Sequence, residues 1–181
     1  HDYPGEAESD GIAREIETLE LLKRGAAPDT ASMAVEYRRK GGSSTGAGRE
    51  DGLALARMYL ADTGHRSDAG TILEEITAAI PRNTAGLSRA DRVVFAAAAM
   101  LYANYLRDTG DTNGASAAFL SAGTLFAPVD GERAAEALYG AADAFMRSGK
   151  RGDAKKALET LRSSWPESLW TRRAGQLLPS D

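Results

Sequence analysis

The chain has no cysteine, only two histidines and few aromatic residues. Without cysteine there is no disulfide, no thiolate nucleophile and no thiolate metal site. The histidines are His1 and His65, the latter directly after a glycine, and neither Glu-x-x-His nor His-Glu-x-x-His occurs. The usual helical metal sites are therefore missing, and His65 reads as a solvated turn residue. Long apolar runs are missing too. The longest, Val93 to Tyr105, is interrupted by Asn104 and falls short of the roughly 20 residues that a membrane span requires. Nor does one sign of charge dominate: the net charge is −4, with acidic and basic residues mixed along the chain. That leaves no electrostatic footprint for nucleic acid or an anionic membrane.

Other elements of enzyme chemistry fall away on inspection. Gly41 to Gly46 has the spacing that opens a phosphate-binding loop, but Ala47-Gly48 stand where Lys-Ser/Thr is required. The glycine-serine stretch from Gly41 to Gly48 reads instead as a flexible linker. The carboxylate pairs Glu15-Glu17 and Glu74-Glu75 are too close in sequence to converge from one helix face, and read as solvated. No catalytic residue, metal or cofactor is expected.

What is present is alanine, in helical patterns. A length of 181 residues suits one domain, with 1–10 a loose lead-in and 11–181 a single helical unit. Apolar residues at three- and four-residue spacing predict helices over about 11–23, 30–39, 50–63, 67–80, 89–109, 113–126, 132–148, 151–164 and 167–178. No segment alternates as a strand would. Ser67 and Ser88 stand where helix N-caps belong, and Asp91 follows Ser88 at capping-box spacing. Arg38-Arg39-Lys40 and Arg172-Arg173 fall at helix C-termini, where cations complement the dipole. Trp165 and Trp170 read as packing anchors.

The pattern repeats. Gly64, Gly110 and Gly149 are each followed after five residues by Ala69, Ala115 or Ala154, and after nine by Leu73, Phe119 or Leu158. Ile76, Ala122 and Leu161 come next, then Pro81, Pro128 and Pro166. Before the glycines stand Leu60, Leu106 and Phe145, with Ala103 and Ala142 a further three residues back in the last two units. Glycine permits a tight reversal, small residues let helices approach closely, and proline stops the second helix. In this, the units at about 50–81, 96–128 and 135–168 resemble the tetratricopeptide repeat, a helix-turn-helix of about 34 residues. The glycines are 46 and 39 residues apart, so the spacing is irregular, and Arg57 occupies the small-residue place of the first unit.

The resemblance implies an all-α fold of antiparallel helix pairs stacked as a right-handed superhelix, closed by a capping helix over 167–178. Residues 11–40 could add a further, degenerate pair. First helices would line a concave face, at positions thirteen, ten, six, three and two residues before each turn glycine. These are Asp51, Ala54, Met58, Ala61 and Asp62 in the first unit, then Ala97, Met100, Asn104, Arg107 and Asp108, then Glu136, Tyr139, Asp143, Met146 and Arg147. The groove implied for a protein or peptide partner comprises Met58, Met100, Asn104, Arg107, Tyr139, Asp143, Met146 and Arg147. Methionine suits an adaptable apolar surface, although the same methionines could simply fill gaps between repeats. Of the Lys, Asn and Arg set with which some family members hold a C-terminal carboxylate, only Asn104 matches. The expected function is thus a scaffold or adaptor. A small-molecule-binding accessory subunit and a helical enzyme with dispersed carboxylates remain alternatives.

Location is inferred by resemblance. Short irregular arrays ending in a Trp-Pro-x-Ser pattern, here Trp165-Pro166-Glu167-Ser168, are similar to periplasmic and lipid-anchored proteins of the bacterial envelope. A cytoplasmic setting remains open. The start at His1-Asp2-Tyr3-Pro4, without an initiator Met, fits either a removed export signal or simple trimming.

Overall fold

The computed structural model describes residues 29–177. The lead-in 1–10 and the helix expected over 11–23 lie outside the described residues, as does the end of the helix expected over 167–178. Among the described residues the chain is all-helical and contains no strand. It runs through α1 (Thr30–Arg39), α2 (Gly46–Ala61), α3 (Arg66–Ala78), α4 (Arg89–Thr109), α5 (Thr112–Phe126), α6 (Gly131–Arg147), α7 (Arg151–Ser164) and α8 (Leu169–Ala174). Each helix packs against the next in sequence, and α2 also touches α4 while α6 touches α8.

Local chemistry starts and stops these helices. The Ser88 hydroxyl accepts from the Asp91 backbone N–H at 3.0 Å and donates to the Asp91 carboxylate at 2.7 Å, satisfying one of the open N–H groups of α4. Asp29, Thr45, Asp111, Asp130 and Ser168 cap α1, α2, α5, α6 and α8 in similar fashion. Ser67 does not serve as expected. Helix α3 begins one residue earlier, at Arg66, after a 3-10 turn over Thr63–His65 that Asp62 organises by accepting from Gly64 N–H at 2.9 Å.

The expected linker at Gly41–Gly48 is also corrected. Gly42–Ser44 form a 3-10 turn and Gly46-Ala47-Gly48 are the first turn of α2. Thr45 ties the two together, its hydroxyl donating to the Lys40 carbonyl at 2.6 Å and accepting from Gly48 N–H at 3.0 Å. A Cβ on Gly48 would lie 2.0 Å from the Gly42 carbonyl oxygen. Glycine there serves close backbone approach, not flexibility.

The turn glycines divide into two kinds. Gly110 and Gly149 take φ of 92° and 75°, the left-handed conformation that ends a helix sharply. Gly64 does not, because the 3-10 turn reverses the chain without it. The first unit thus differs from the other two in its turn as well as in Arg57.

The core is built from small side chains. Ala69, Ala115 and Ala154 are fully buried, as are Leu73, Leu158, Ile76, Ala122 and Leu161. On α4, Ala96, Ala97, Ala98 and Ala99 are all buried. Four successive residues cover every side of a helix, so α4 is enclosed over this turn, and alanine lets its neighbours approach it closely there. One apolar cluster runs from α1 to α6, another joins α6, α7 and α8, and Trp165 packs against both. The terminal helix is shorter than expected. It starts at Leu169, where the buried Ser168 caps it and donates to Glu132 at 3.0 Å. Its Ala174 is fully buried against the α6–α7 cluster.

Candidate functional site

Two helices one hairpin apart, α4 and α6, form a cleft of about 90 Å³ with α5 beneath it and α8 at its end. Met100, Asn104 and Arg107 line one wall, and Glu136, Tyr139, Gly140 and Asp143 the other. Both walls step by four and then three residues, Met100, Asn104 and Arg107 on α4 and Glu136, Gly140 and Asp143 on α6. The helical period on each wall, three or four residues per step, puts them in one stripe.

Phe119 of α5 also lines the cleft, and its ring is almost wholly buried. Gly140 makes that possible, since a Cβ at this position would lie 2.7 Å from the ring. The Arg107 guanidinium sits 5.9 Å from the Phe119 ring centroid. Opposite it, Asp143 accepts from Arg147 at 2.8 Å. At the far end Tyr139 and Trp170 meet with ring centroids 5.2 Å apart and planes tilted by 43°, while Arg173 covers the Trp170 ring at 4.9 Å. Asn104 donates from its side-chain amide to the Met100 carbonyl at 2.9 Å.

Five of the eight groove residues read from sequence therefore meet in this cleft: Met100, Asn104, Arg107, Tyr139 and Asp143. Three do not line it. Met58 is 4% exposed and belongs to the interior of α2, so at this position the gap-filling reading applies. Met146 is half-buried on α6 away from the cleft, and Arg147 stands at the edge, reaching the cleft only through Asp143. The groove set read from sequence left out Glu136, which it had placed only on the wider concave face, and Phe119, Gly140 and Trp170 altogether. Phe119 and Gly140 carry no polar signal, and Trp170 arrives only because α8 folds back on α6.

A second, larger hollow of about 540 Å³ lies among α1, α2 and α3. Its lining includes Tyr37, Leu55, Tyr59 and Ile72, with Arg38, Asp68 and Glu75 as charged members. Glu75, expected to be solvated only, accepts from the Tyr37 hydroxyl at 2.7 Å. Burial, together with that carboxylate, pushes the Tyr37 hydroxyl well above its ordinary pKa. Among the described residues no group of three or more His, Asp or Glu side chains could hold a metal ion, and no helix is long and apolar enough to cross a membrane. Comparison with known proteins finds no matching family model, no matching curated protein and no matching solved structure.

Proposed function

We propose that the protein is an interaction module whose α4–α6 cleft grips one side chain of an extended partner segment. The convergence of Met100, Asn104, Arg107, Tyr139 and Asp143 with Trp170 on one cleft supports this reading. A volume of about 90 Å³ takes a single side chain rather than a helix, so the partner docks extended and lays its neighbouring residues across the rim. On this reading the hairpins α2–α3, α4–α5 and α6–α7 stack as a tetratricopeptide-like right-handed superhelix, with α2, α4 and α6 on its inner face. The same resemblance favours work in the bacterial envelope, which fractionation of the native cell tests.

Selection of displayed random peptides against the chain, repeated with Tyr139→Ala, tests the cleft itself. Truncating an aromatic anchor costs on the order of 2 kcal/mol of binding, so selected peptides should lose most of their affinity for the variant. Asn104→Ala should weaken binding less and leave folding stability within about 0.5 kcal/mol of the parent. Peptides that bind Tyr139→Ala unchanged would move the site elsewhere.

The hollow among α1, α2 and α3 supports a second reading, a small-molecule accessory subunit, because its size falls in the range of ligand pockets. A compound that raises the melting temperature of the parent but not of Thr71→Trp, which would fill the hollow, is its signature.

A further inference from the structure

The balance of charge over the whole chain conceals a difference between its ends. Of the 22 Lys and Arg, eight lie from Arg147 onward, against only four of the 26 Asp and Glu. In the fold this basic excess falls on α7, α8 and the turn before α7. Lys150, Arg151, Lys155, Arg162 and Arg172 are all exposed, and among the described residues their side chains make no ion pair or hydrogen bond. Lys156, by contrast, meets Asp153 at 3.5 Å, and Arg147 holds Asp143. Helix α7 buries Ala154, Ala157, Leu158 and Leu161. Arg151, Lys155 and Arg162, spaced by four and seven residues, form a stripe beside that buried face. Glu159 is the one carboxylate that adjoins the stripe from α7, so the stripe keeps a positive excess. With a screening length of about 8 Å at physiological salt, the acidic remainder of the molecule does not cancel it.

The chain itself carries the complementary charge. Its lead-in, outside the described residues, holds Asp2, Glu6, Glu8 and Asp10 and no Lys or Arg. Glu6, Glu8 and Asp10 are two apart, so on extended backbone they project from one side at intervals of about 6.5 Å. Arg151 and Lys155 are about 6 Å apart along the helix axis, and Arg162 lies about 10 Å further on. The two rows thus match in sign and in span. Reach suffices as well. From α1 to α7 the fold passes through five successive helix contacts, at most about 50 Å at 8–10 Å each. Counting back from Asp29, Glu8 lies within about 70 Å as extended chain, or about 45 Å with the helix expected over 11–23 formed. Tethering gives the lead-in a local concentration that a second copy or a free acidic partner at micromolar concentration does not match. We propose that the acidic lead-in, residues 2–10, docks in extended form along the Arg151–Lys155–Arg162 stripe of its own chain. Single surface ion pairs are weak, so the docking is reversible and salt-sensitive, and it shields the basic end from other polyanions.

Because the chain has no cysteine, a nitroxide attached through Ala7→Cys labels the lead-in alone. In the NMR spectrum of the full chain the label should quench the amide signals from Arg151 to Arg162. Salt at about 1 M, where the screening length falls to about 3 Å, should restore them. So should the triple change Arg151→Gln, Lys155→Gln and Arg162→Gln, which alters exposed side chains and should leave the melting temperature as in the parent. Signals of α7 that stay unquenched, or quenching that survives the triple change, would overturn the proposal. Quenching of isotope-labelled chains by separate nitroxide-labelled copies in a mixture would overturn it too, by assigning the contact to a second molecule. Vesicles of phosphatidylcholine and phosphatidylglycerol probe the other claimant. If the parent binds them, the triple variant does not, and α7 stays unquenched, the stripe is a membrane-facing surface and the lead-in does not cover it.

Discussion

Gly140 is the residue on which the cleft depends, since its missing side chain allows α6 to lie against the Phe119 ring. Phe119 is 2% exposed, and its ring already lies where a Cβ on Gly140 would stand. Gly140→Ala should therefore cost about 1–3 kcal/mol by overpacking, read from denaturant unfolding, and should also weaken any peptide bound in the cleft. Asp91 offers a second test. The Ser88 hydroxyl, and after it the Arg49 guanidinium, hold its carboxyl below the usual range, so folding favours the ionised form. Its contribution is fully present above the ordinary aspartate value of about 3.9 and is lost as the pH falls through the lower folded value. Asp91→Asn should flatten the decline of melting temperature with acidification below about pH 4.

At the scale of the element, the hairpin turns are chemically distinct although their sequences look alike. Gly110 and Gly149 occupy left-handed conformations with open space around the missing Cβ, so strain there is purely backbone. An alanine at either should cost about 1–2 kcal/mol. Gly64→Ala should cost clearly less, since Gly64 has no positive φ and only the Asp62 side chain near it. Thermal unfolding of the three single variants checks this ranking, and equal losses would contradict it. The reason lies in Asp62, whose side chain organises the first turn in place of a left-handed glycine.

At the scale of the whole molecule, contacts run mainly from each helix to its neighbours in sequence. Stability in such a chain is close to a sum of local terms, so damage should stay local. Ala154 is fully buried where α7 meets its neighbours. Ala154→Trp should therefore speed amide exchange through α6, α7 and α8 while α2 and α3 keep most of their protection. Uniform loss of protection would show that the helices unfold as one unit.

Among the described residues the sequence by itself determined the helices and the buried alanines between them. Alanine at Ala69, Ala115 and Ala154, with proline after each second helix, marks close-packed helix pairs because small residues and helix stops have few other uses at that spacing. It also singled out five residues that line one cleft, Met100, Asn104 and Arg107 on α4 with Tyr139 and Asp143 on α6. Only the tertiary structure decided the rest. The Gly41–Gly48 stretch is ordered through the Thr45 bonds and the close pass of Gly42 over Gly48, contacts that composition does not encode. Met58 shares the register of Asn104 and Asp143 yet is buried, because repeat position fixes the direction of a side chain but not what packs over it. Trp170 reaches the cleft through the return of α8 onto α6, a contact between segments about thirty residues apart that no local pattern announces.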